Sequence, residues 1–462
     1  MTAPVAVILA AGKGVRMKSE MPKVLHPVAG LPMVMHVVRA ARSAGAQRLI
    51  AVVGHGRQQI EQRLQAEGLE FAVQEQQLGT GHALMQVRGL VGEGETVLVL
   101  CGDTPLLRGE TLRRLLEVHR QSGADASVLT SCLEDPRGYG RVVRNAGGDL
   151  VRIVEEKDAC AEERAIREVN AGIYCFSSTP LFQALDGLSP DNAQGEYYLT
   201  DVLPWFLGHG LRVATVLHPD AEEILGINDR VQLAQAEQVL RQRKNRELML
   251  GGVTIIDPSS TLVDWGVSVG EDTVLYPFTI LEGSSRVGRR CRIGPGAHLI
   301  DARVADGTVV DKSTLWDCQV GEACQVGPYA YLRPGACLER GVKVGDFVEI
   351  KKSVIGQGSK VPHLAYVGDA EVGSYVNIGA GTITCNYDGR AKYKTVIEDH
   401  AFIGSNTNLV APVKVGYGAI TGAGSTITKE VPPYALGVER ARQRNISGWG
   451  KPEAESSTSD DS

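Results

Sequence analysis

Long apolar runs, excess positive charge and paired cysteines are all missing from this chain, and each absence removes a class of protein. No stretch reaches the roughly 18 unbroken apolar residues of a spanning helix, so no membrane insertion is expected. Lys and Arg number 48 against 54 Asp and Glu, a net charge of −6. That leaves no basic footprint for nucleic acid or an anionic lipid surface. The nine cysteines are dispersed, with no Cys-x-x-Cys pair. An odd, scattered set is no disulfide framework, and reduced thiols in a cytoplasmic protein are the expectation. Cys318 and Cys324 stand six apart, the spacing of equivalent repeat positions, and are not read as metal ligands. The apolar run in MTAPVAVILAAGKG has no basic segment before it and no cleavage site after it. It reads as a buried first strand and not as a signal peptide.

What the chain does have is a period of six. Val269, Leu275, Leu281, Val287, Ile293 and Leu299 are evenly spaced. Val320, Val326, Leu332, Leu338, Val344 and Ile350 repeat the pattern, and so do Ile397, Ile403, Leu409, Val415 and Ile427, with Thr421 in the remaining slot. A helix needs a period of about 3.6 and an ordinary sheet strand a period of about 2. Six suits short flat strands joined by tight corners, one aliphatic side chain per strand pointing into a prism, with Gly or small residues at the turns. Such coils have no core alone and must stack. The register slips near Val304–Leu315, Ser353–Val361 and Cys385–Val396. Insertions in a solenoid become loops on its face, often the binding face.

A length of 462 residues suggests about two or three domains. Before the repeat, residues 1–229 alternate apolar runs with helical patterns. Val5–Ala10, Arg48–Val53 and Thr96–Leu100 read as buried parallel strands, and Met33–Ala44, Arg57–Glu67 and Gly81–Arg88 as helices. This is an α/β sheet covered on both faces, whose ligands sit beyond the carboxyl ends of the strands. Residues 230–250 form a linker helix without Gly or Pro, with Leu233, Ala236, Val239, Leu240 and Arg243 at helical spacing. The repeats occupy 251–437. The tail 438–462 ends in KPEAESSTSDDS, polar, acidic and expected to be disordered.

The first strand runs into LAAGKGVRM (Leu9–Met17). Gly12 and Gly14 let backbone N–H groups approach a phosphate, while Arg16 and Lys23 supply positive charge. No Gly-Lys-Ser/Thr follows at Walker spacing, and Met17 stands where a dinucleotide fingerprint would need a third Gly. A tight turn alone would look the same. Asp103, in CGDTPLL at the end of a buried strand, suits Mg²⁺ beside a phosphate. It would also suit the cap of a following helix.

Together these residues resemble the sugar-phosphate nucleotidyltransferases, a Rossmann-like family. The resemblance implies a UTP site at Leu9, Ala10, Ala11, Gly12, Lys23, Cys101, Gly102 and Asp103. QEQQLGTGHA (Gln74–Ala83) resembles the base-reading segment, with Gln74, Gly79 and Thr80 on uracil. It further implies Gly140, Glu155 and Asn170 on the sugar, Asp103 and Asn228 as Mg²⁺ ligands, and Arg16 and Lys23 as the catalytic cations. Val15 departs from the Thr usual in that family, removing one hydroxyl from the phosphate loop.

In the repeats, Arg333, Lys351, Lys352 and Lys392 are cations among small residues. Single cations on a coil are ordinarily solvated surface, and a lone His is ordinarily structural. His298, His363 and His400 are far apart in register, which argues against a shared zinc. The segments KKSVIGQGSKVPHLAYVGDAEVG and NIGAGTITCNYDG resemble the hexapeptide-repeat acyltransferases. The whole chain, about residues 3–449, resembles a bacterial bifunctional family that fuses an N-acetylglucosamine-1-phosphate uridylyltransferase to a glucosamine-1-phosphate N-acetyltransferase. That resemblance implies a left-handed parallel β-helix and a homotrimer. It implies Arg333, Lys351, Tyr366, Asn377 and Lys392 on the sugar phosphate, and His363 as general base. Asn386 would orient the amine and the Ala380 N–H would face the oxyanion. Acetyl-CoA would lie on Ala380, Asn386, Tyr387, Ser405, Ala423 and Arg440. The substrates implied are glucosamine-1-phosphate, acetyl-CoA, N-acetylglucosamine-1-phosphate and UTP, and the product a precursor of peptidoglycan and lipopolysaccharide. Two other readings share the architecture. One is a nucleotidyltransferase with a scaffold or regulatory β-helix, against which His363 and the CNYDG loop speak. The other is a non-catalytic regulatory subunit, against which Arg16, Lys23 and Asp103 speak.

Overall fold

Strands with apolar residues at consecutive positions must cover both faces of their sheet. The computed structural model, which describes residues 3–450, shows where those faces go. The acidic tail from 451 onward, with its expected disorder, lies outside the described residues. The chain divides into two compact units, residues through Glu247 with Val263–Gly266, and Leu248–Leu262 with the chain from Val267.

The first unit is built on a nine-stranded sheet. Its strands are β1 (Val5–Leu9), β2 (Arg48–Val53), β3 (Glu70–Val73), β4 (Thr96–Cys101), β5 (Ala126–Cys132), β6 (Arg141–Arg144), β7 (Leu150–Val154), β8 (Glu168–Ser177) and β9 (Val213–His218). The order is β9-β5-β8-β4-β1-β2-β3, with the β6–β7 hairpin attached to β8. Alternation divides the core. Ala6, Ile8, Leu49, Ala51, Leu98 and Leu100 face one layer of helices. Val5, Val7, Ile50, Val52, Val97 and Val99 face the other. β1, β2 and β4 pair in parallel, as their apolar runs indicate. The sheet as a whole is mixed, because the ten-residue β8 runs antiparallel between β4 and β5. Its polar interior (Asn170) and Gly172 hide the strand from an apolar-run reading. The linker helix spans Arg230–Leu250 as read from the sequence. Its Ala236 and Leu240 are buried against Val28, Met33, Leu106 and Ile227.

The second unit is three parallel sheets of eleven, ten and nine very short strands, the prism of a left-handed β-helix. In each sheet every strand pairs with the strand one coil later, so aliphatic side chains stack in files. Leu281↔Leu299↔Leu315↔Leu332↔Ile350↔Val367 is one such file. All six are fully buried, and each contributes roughly 1.5–3 kcal/mol by leaving water. Val269, at the first coil, is only half-buried.

Two expectations about this unit need correction. The slips near Val304–Leu315 and Ser353–Val361 are not inserted loops: Val304, Val310, Leu315, Ile355 and Val361 remain buried and paired in register. A side simply shortens by one residue at its corner. Only Cys385–Val396 is a true excursion, closed by an isolated bridge between Tyr387 and Lys392. Nor are the corners reserved for Gly and small residues. Phe278, Tyr329, Phe347, Tyr375, His400 and Tyr434 all sit at positive φ. The left-handed conformation costs an L-residue roughly 1–2 kcal/mol. Stacking along the corner offsets it: Tyr329 lies 5.5 Å from Phe347 and Tyr375 lies 5.4 Å from His400, centroid to centroid.

Candidate active sites

In the first unit, the loops after parallel strands meet at one edge. β1 ends at Leu9, whose carbonyl accepts from Gly102 N–H (2.9 Å), and Ala10 N–H donates to Val52. The Gly12–Gly14 loop and the Cys101–Asp103 segment are thereby neighbours. Asp103 does not cap a helix, since the next one begins at Gly109. Instead Lys23 Nζ contacts the Asp103 carboxylate and also donates to Asn228 Oδ1 at 2.8 Å. Ile227 N–H donates to the Asp103 carbonyl at 2.9 Å, and Asn228 N–H to Gln232 Oε1 at 2.7 Å. The two oxygens expected to hold a metal therefore converge on a single cation already. One carboxylate and one amide oxygen are hard donors that suit Mg²⁺ completed by water and phosphate.

A second group lies on β8 and the hairpin. The ladder breaks between Asn170, still paired with Thr130, and Tyr174, with Gly172 at φ +70° in the bulge. Asn170 Nδ2 donates to Tyr174 Oη (2.6 Å), and its N–H to the Gly140 carbonyl (2.9 Å). A side chain at 140 would collide with Ile153 and press on Glu155, so Gly140 and Glu155 touch. Burial raises the Glu155 carboxyl above its usual range, with Thr200 Oγ1 as a hydrogen-bond donor. Gln74, Gly79 and Thr80 form a third group: Gln74 Nε2 donates to the Gly79 carbonyl (3.0 Å), and Thr80 Oγ1 accepts from Leu199 N–H (3.1 Å). Arg16 and Val15 are exposed on the short 3-10 helix that closes the glycine loop.

In the β-helix, His363 pairs in register with Asp346 one coil earlier, and its Nδ1 lies 2.7 Å from Asp346 Oδ1. The carboxyl is held below its usual range by that hydrogen bond, so it is the acceptor and Nδ1 carries the proton. Nε2 is the ring nitrogen not engaged by that carboxylate. His363, Ala380, Ser405 and Ala423 each stand two residues past the inward position of successive strands in one sheet, forming a column. Arg440 donates to the Ala423 carbonyl at 2.9 Å. Beside the column, Lys351 Nζ reaches Asp369 at 3.3 Å, and Asn386 Nδ2 touches the same carboxylate and lies 3.4 Å from Tyr366 Oη. Arg333 pairs with Glu349 at 2.7 Å. Contact with the Lys351 ammonium pushes Lys392 below the ordinary lysine value, two cations converging on one spot. Arg333, Lys351 and Tyr366 share one sheet, whereas Asn377 begins a strand of the next. Tyr387 is exposed on the excursion. The other two histidines are occupied elsewhere: His298 pairs with Glu282 (2.8 Å), and His400 stacks on Tyr375.

The family of MobA-like NTP transferase domains matches residues 6–197, which takes in the glycine loop, Asp103 and Asn170 but stops short of Asn228. The bifunctional protein GlmU of Syntrophomonas wolfei is 55% identical over 445 residues, 96% of this chain and 99% of that one. The chain belongs to the GlmU family. GlmU of Heliobacterium modesticaldum is 58% identical over 95% of this chain and 96% of its own, and that of a Geobacillus strain is 50% identical over 96% and 97%. A GlmU match of this extent takes in both units, so the β-helix is no unrelated appendage.

Sequence reasoning missed the partners that hold these side chains. Asp346, Glu349 and Asp369 belong to no motif that singles them out in the sequence. Coil register was the available signal, since Asp346 pairs with His363 and Glu349 with Tyr366. Tyr174 and Thr200 carried no local signal, because only the fold brings them to Asn170 and Glu155.

Proposed function

We infer that this chain is a bifunctional enzyme of UDP-N-acetylglucosamine synthesis. It acetylates glucosamine-1-phosphate with acetyl-CoA, then transfers UMP from UTP to N-acetylglucosamine-1-phosphate. The Asp346–His363 pair at the head of the Ala380–Ser405–Ala423 column carries the acetyl-transfer half of this reading, because a scaffold has no use for an oriented imidazole.

In the first step the substrate phosphate is held by Arg333, Lys351 and Lys392, with Tyr366 and Asn377 on the sugar phosphate. Asn386, fixed by Asp369 and Tyr366, orients the 2-amine. The amine nitrogen attacks the thioester carbonyl while His363 Nε2 takes its proton. The oxyanion that forms is met by Ala380 N–H. The C–S bond then breaks and coenzyme A leaves. Tyr387, Ser405, Ala423 and Arg440 carry acetyl-CoA.

In the second step a phosphate oxygen of N-acetylglucosamine-1-phosphate bonds to the α-phosphorus of UTP, and pyrophosphate departs. The nucleophile is already an anion, so no base is needed, and the barrier is repulsion between anions. Arg16 and Lys23 offset that charge beside the backbone of Leu9–Gly12 and Cys101–Gly102. Gln74, Gly79 and Thr80 read the uracil, and Gly140, Glu155 and Asn170 hold the sugar. Asp103 and Asn228 hold Mg²⁺, which when bound neutralises phosphate charge.

The active form is a cytoplasmic homotrimer. The exposure of Ser405, Ala423 and Tyr387 on one chain supports neighbours completing the acetyl-CoA site. Sedimentation at three times the chain mass tests the assembly. The activities are tested by assaying purified protein with glucosamine-1-phosphate, acetyl-CoA, UTP and Mg²⁺, omitting each in turn. Omitting acetyl-CoA must abolish UDP-N-acetylglucosamine but not its formation from added N-acetylglucosamine-1-phosphate.

A further inference from the structure

We propose that Lys23 is the resident cation of the nucleotidyl site, occupying the Asp103 and Asn228 oxygens until a triphosphate draws it away, so that divalent metal binds firmly only together with nucleotide. The proposal rests on the assignment of those two oxygens to the metal.

The observation is a competition for the same atoms. The Lys23 ammonium touches the Asp103 carboxylate and donates to Asn228 Oδ1 at 2.8 Å. Both partners are largely enclosed, with the Lys23 side chain 13% and the Asp103 side chain 25% exposed. A carboxylate this enclosed is costly without a partner, and Lys23 supplies one from within the chain. A hard cation binding both oxygens would stand in contact with the ammonium, and two like charges cannot share that position.

The stem of Lys23 explains how nucleotide would break the deadlock. It passes under Gly14, which is at φ +58°. A β-carbon added at 14 would lie 2.5 Å from Lys23 Cβ and 3.2 Å from its Cδ. Lys23 is therefore packed directly against the glycine loop assigned to the phosphates, so its head can reach that loop's ligand by side-chain rotation alone. A triphosphate offers it several anionic oxygens in exchange for one carboxylate. The vacated oxygens then become available to metal. Nucleotide and metal are thus coupled through one side chain, and the coupling is reciprocal. Metal without nucleotide is kept out, and nucleotide recruits it.

The test uses Mn²⁺ as a paramagnetic probe, with free ion measured by electron paramagnetic resonance in titrations of the full chain with and without UTP. Wild type should bind Mn²⁺ weakly alone and tightly with UTP. Lys23→Met should bind Mn²⁺ without UTP about tenfold or more tighter than wild type, and the gain conferred by UTP should shrink. Lys23→Gln should behave alike and serves if Lys23→Met fails to unfold cooperatively. Asp103→Asn combined with Lys23→Met should lose the gain. Unchanged or weaker Mn²⁺ binding in both folded Lys23 variants overturns the proposal while leaving the metal ligands in place. If Mn²⁺ binding by wild type with UTP is insensitive to Asp103→Asn, the ligand assignment itself falls and the proposal with it.

Discussion

Asp346→Asn isolates what the carboxylate does for His363. The substitution keeps the shape of the side chain and removes its charge. On the proposed mechanism, Asp346 orients the ring through Nδ1 and stabilises the imidazolium that forms when Nε2 takes the amine proton. The pair is closer than 3 Å, at 2.7 Å, but partly open, with His363 57% and Asp346 39% exposed. Two unit charges about 4 Å apart interact by about 1 kcal/mol in water and about 4 kcal/mol near a protein surface. Both side chains are open to solvent, which screens the interaction, so the charge itself contributes modestly. Loss of that charge should lower kcat for acetyl transfer by about fivefold. KM for acetyl-CoA and for glucosamine-1-phosphate should barely move, because the proposed mechanism assigns this carboxylate to His363 and to neither substrate. The assay follows thiol release from acetyl-CoA at saturating substrate, with UMP transfer measured on the same preparation as a control for folding. An acetyl-transfer kcat within twofold of wild type would refute the orienting role. So would an equal loss of UMP transfer, which would mean that the chain was merely damaged.

Other perturbations probe other parts. Gly14→Ala forces a β-carbon to 2.5 Å from Lys23 Cβ at positive φ, and should lower UMP transfer while leaving thiol release intact. Lys392 loses its charge at lower pH than an ordinary lysine, whereas Lys351 is held protonated to higher pH. KM for glucosamine-1-phosphate should therefore climb early as pH rises, and Lys392→Met should remove that early limb in a pH series. Ile350→Ala deletes a fully buried side chain from the prism and should cost about 2–5 kcal/mol in chemical denaturation.

Much of this architecture is legible before any coordinates. A period of six needs only the spacing of aliphatic residues, and nearly every position it names is buried in the prism. The linker helix and the parallel strands β1, β2 and β4 are likewise local patterns, whereas β3, also parallel to β2, escaped that reading. What stayed hidden was non-local or indifferent to side-chain pattern. β8 interrupts its own apolar run with Asn170 and a bulge at Gly172, so it does not announce itself as the antiparallel strand between β4 and β5. The five-residue sides at Val310 and Ile355 look like breaks in sequence because a corner can lose one residue without losing its file. The positive-φ aromatics at the corners defy local propensity, and for Tyr329, Phe347, Tyr375, His400 and Tyr434 the explanation is a ring on a neighbouring coil. At the candidate sites, the residues assigned to substrate stood out as cations, glycines and a lone His in unusual company. Asp346, Asp369 and Tyr174 are meaningful only through the side chains that the fold brings to them.

The central claim is two chemistries on one chain with separate machinery. Its most direct test is a pair of variants, His363→Ala and Asp103→Ala, each assayed for thiol release from acetyl-CoA and for UMP transfer to N-acetylglucosamine-1-phosphate. His363→Ala should lose acetyl transfer by about 100-fold or more and keep UMP transfer within about twofold, and Asp103→Ala should do the reverse. Parallel loss of both activities in either folded variant would contradict the two-site account.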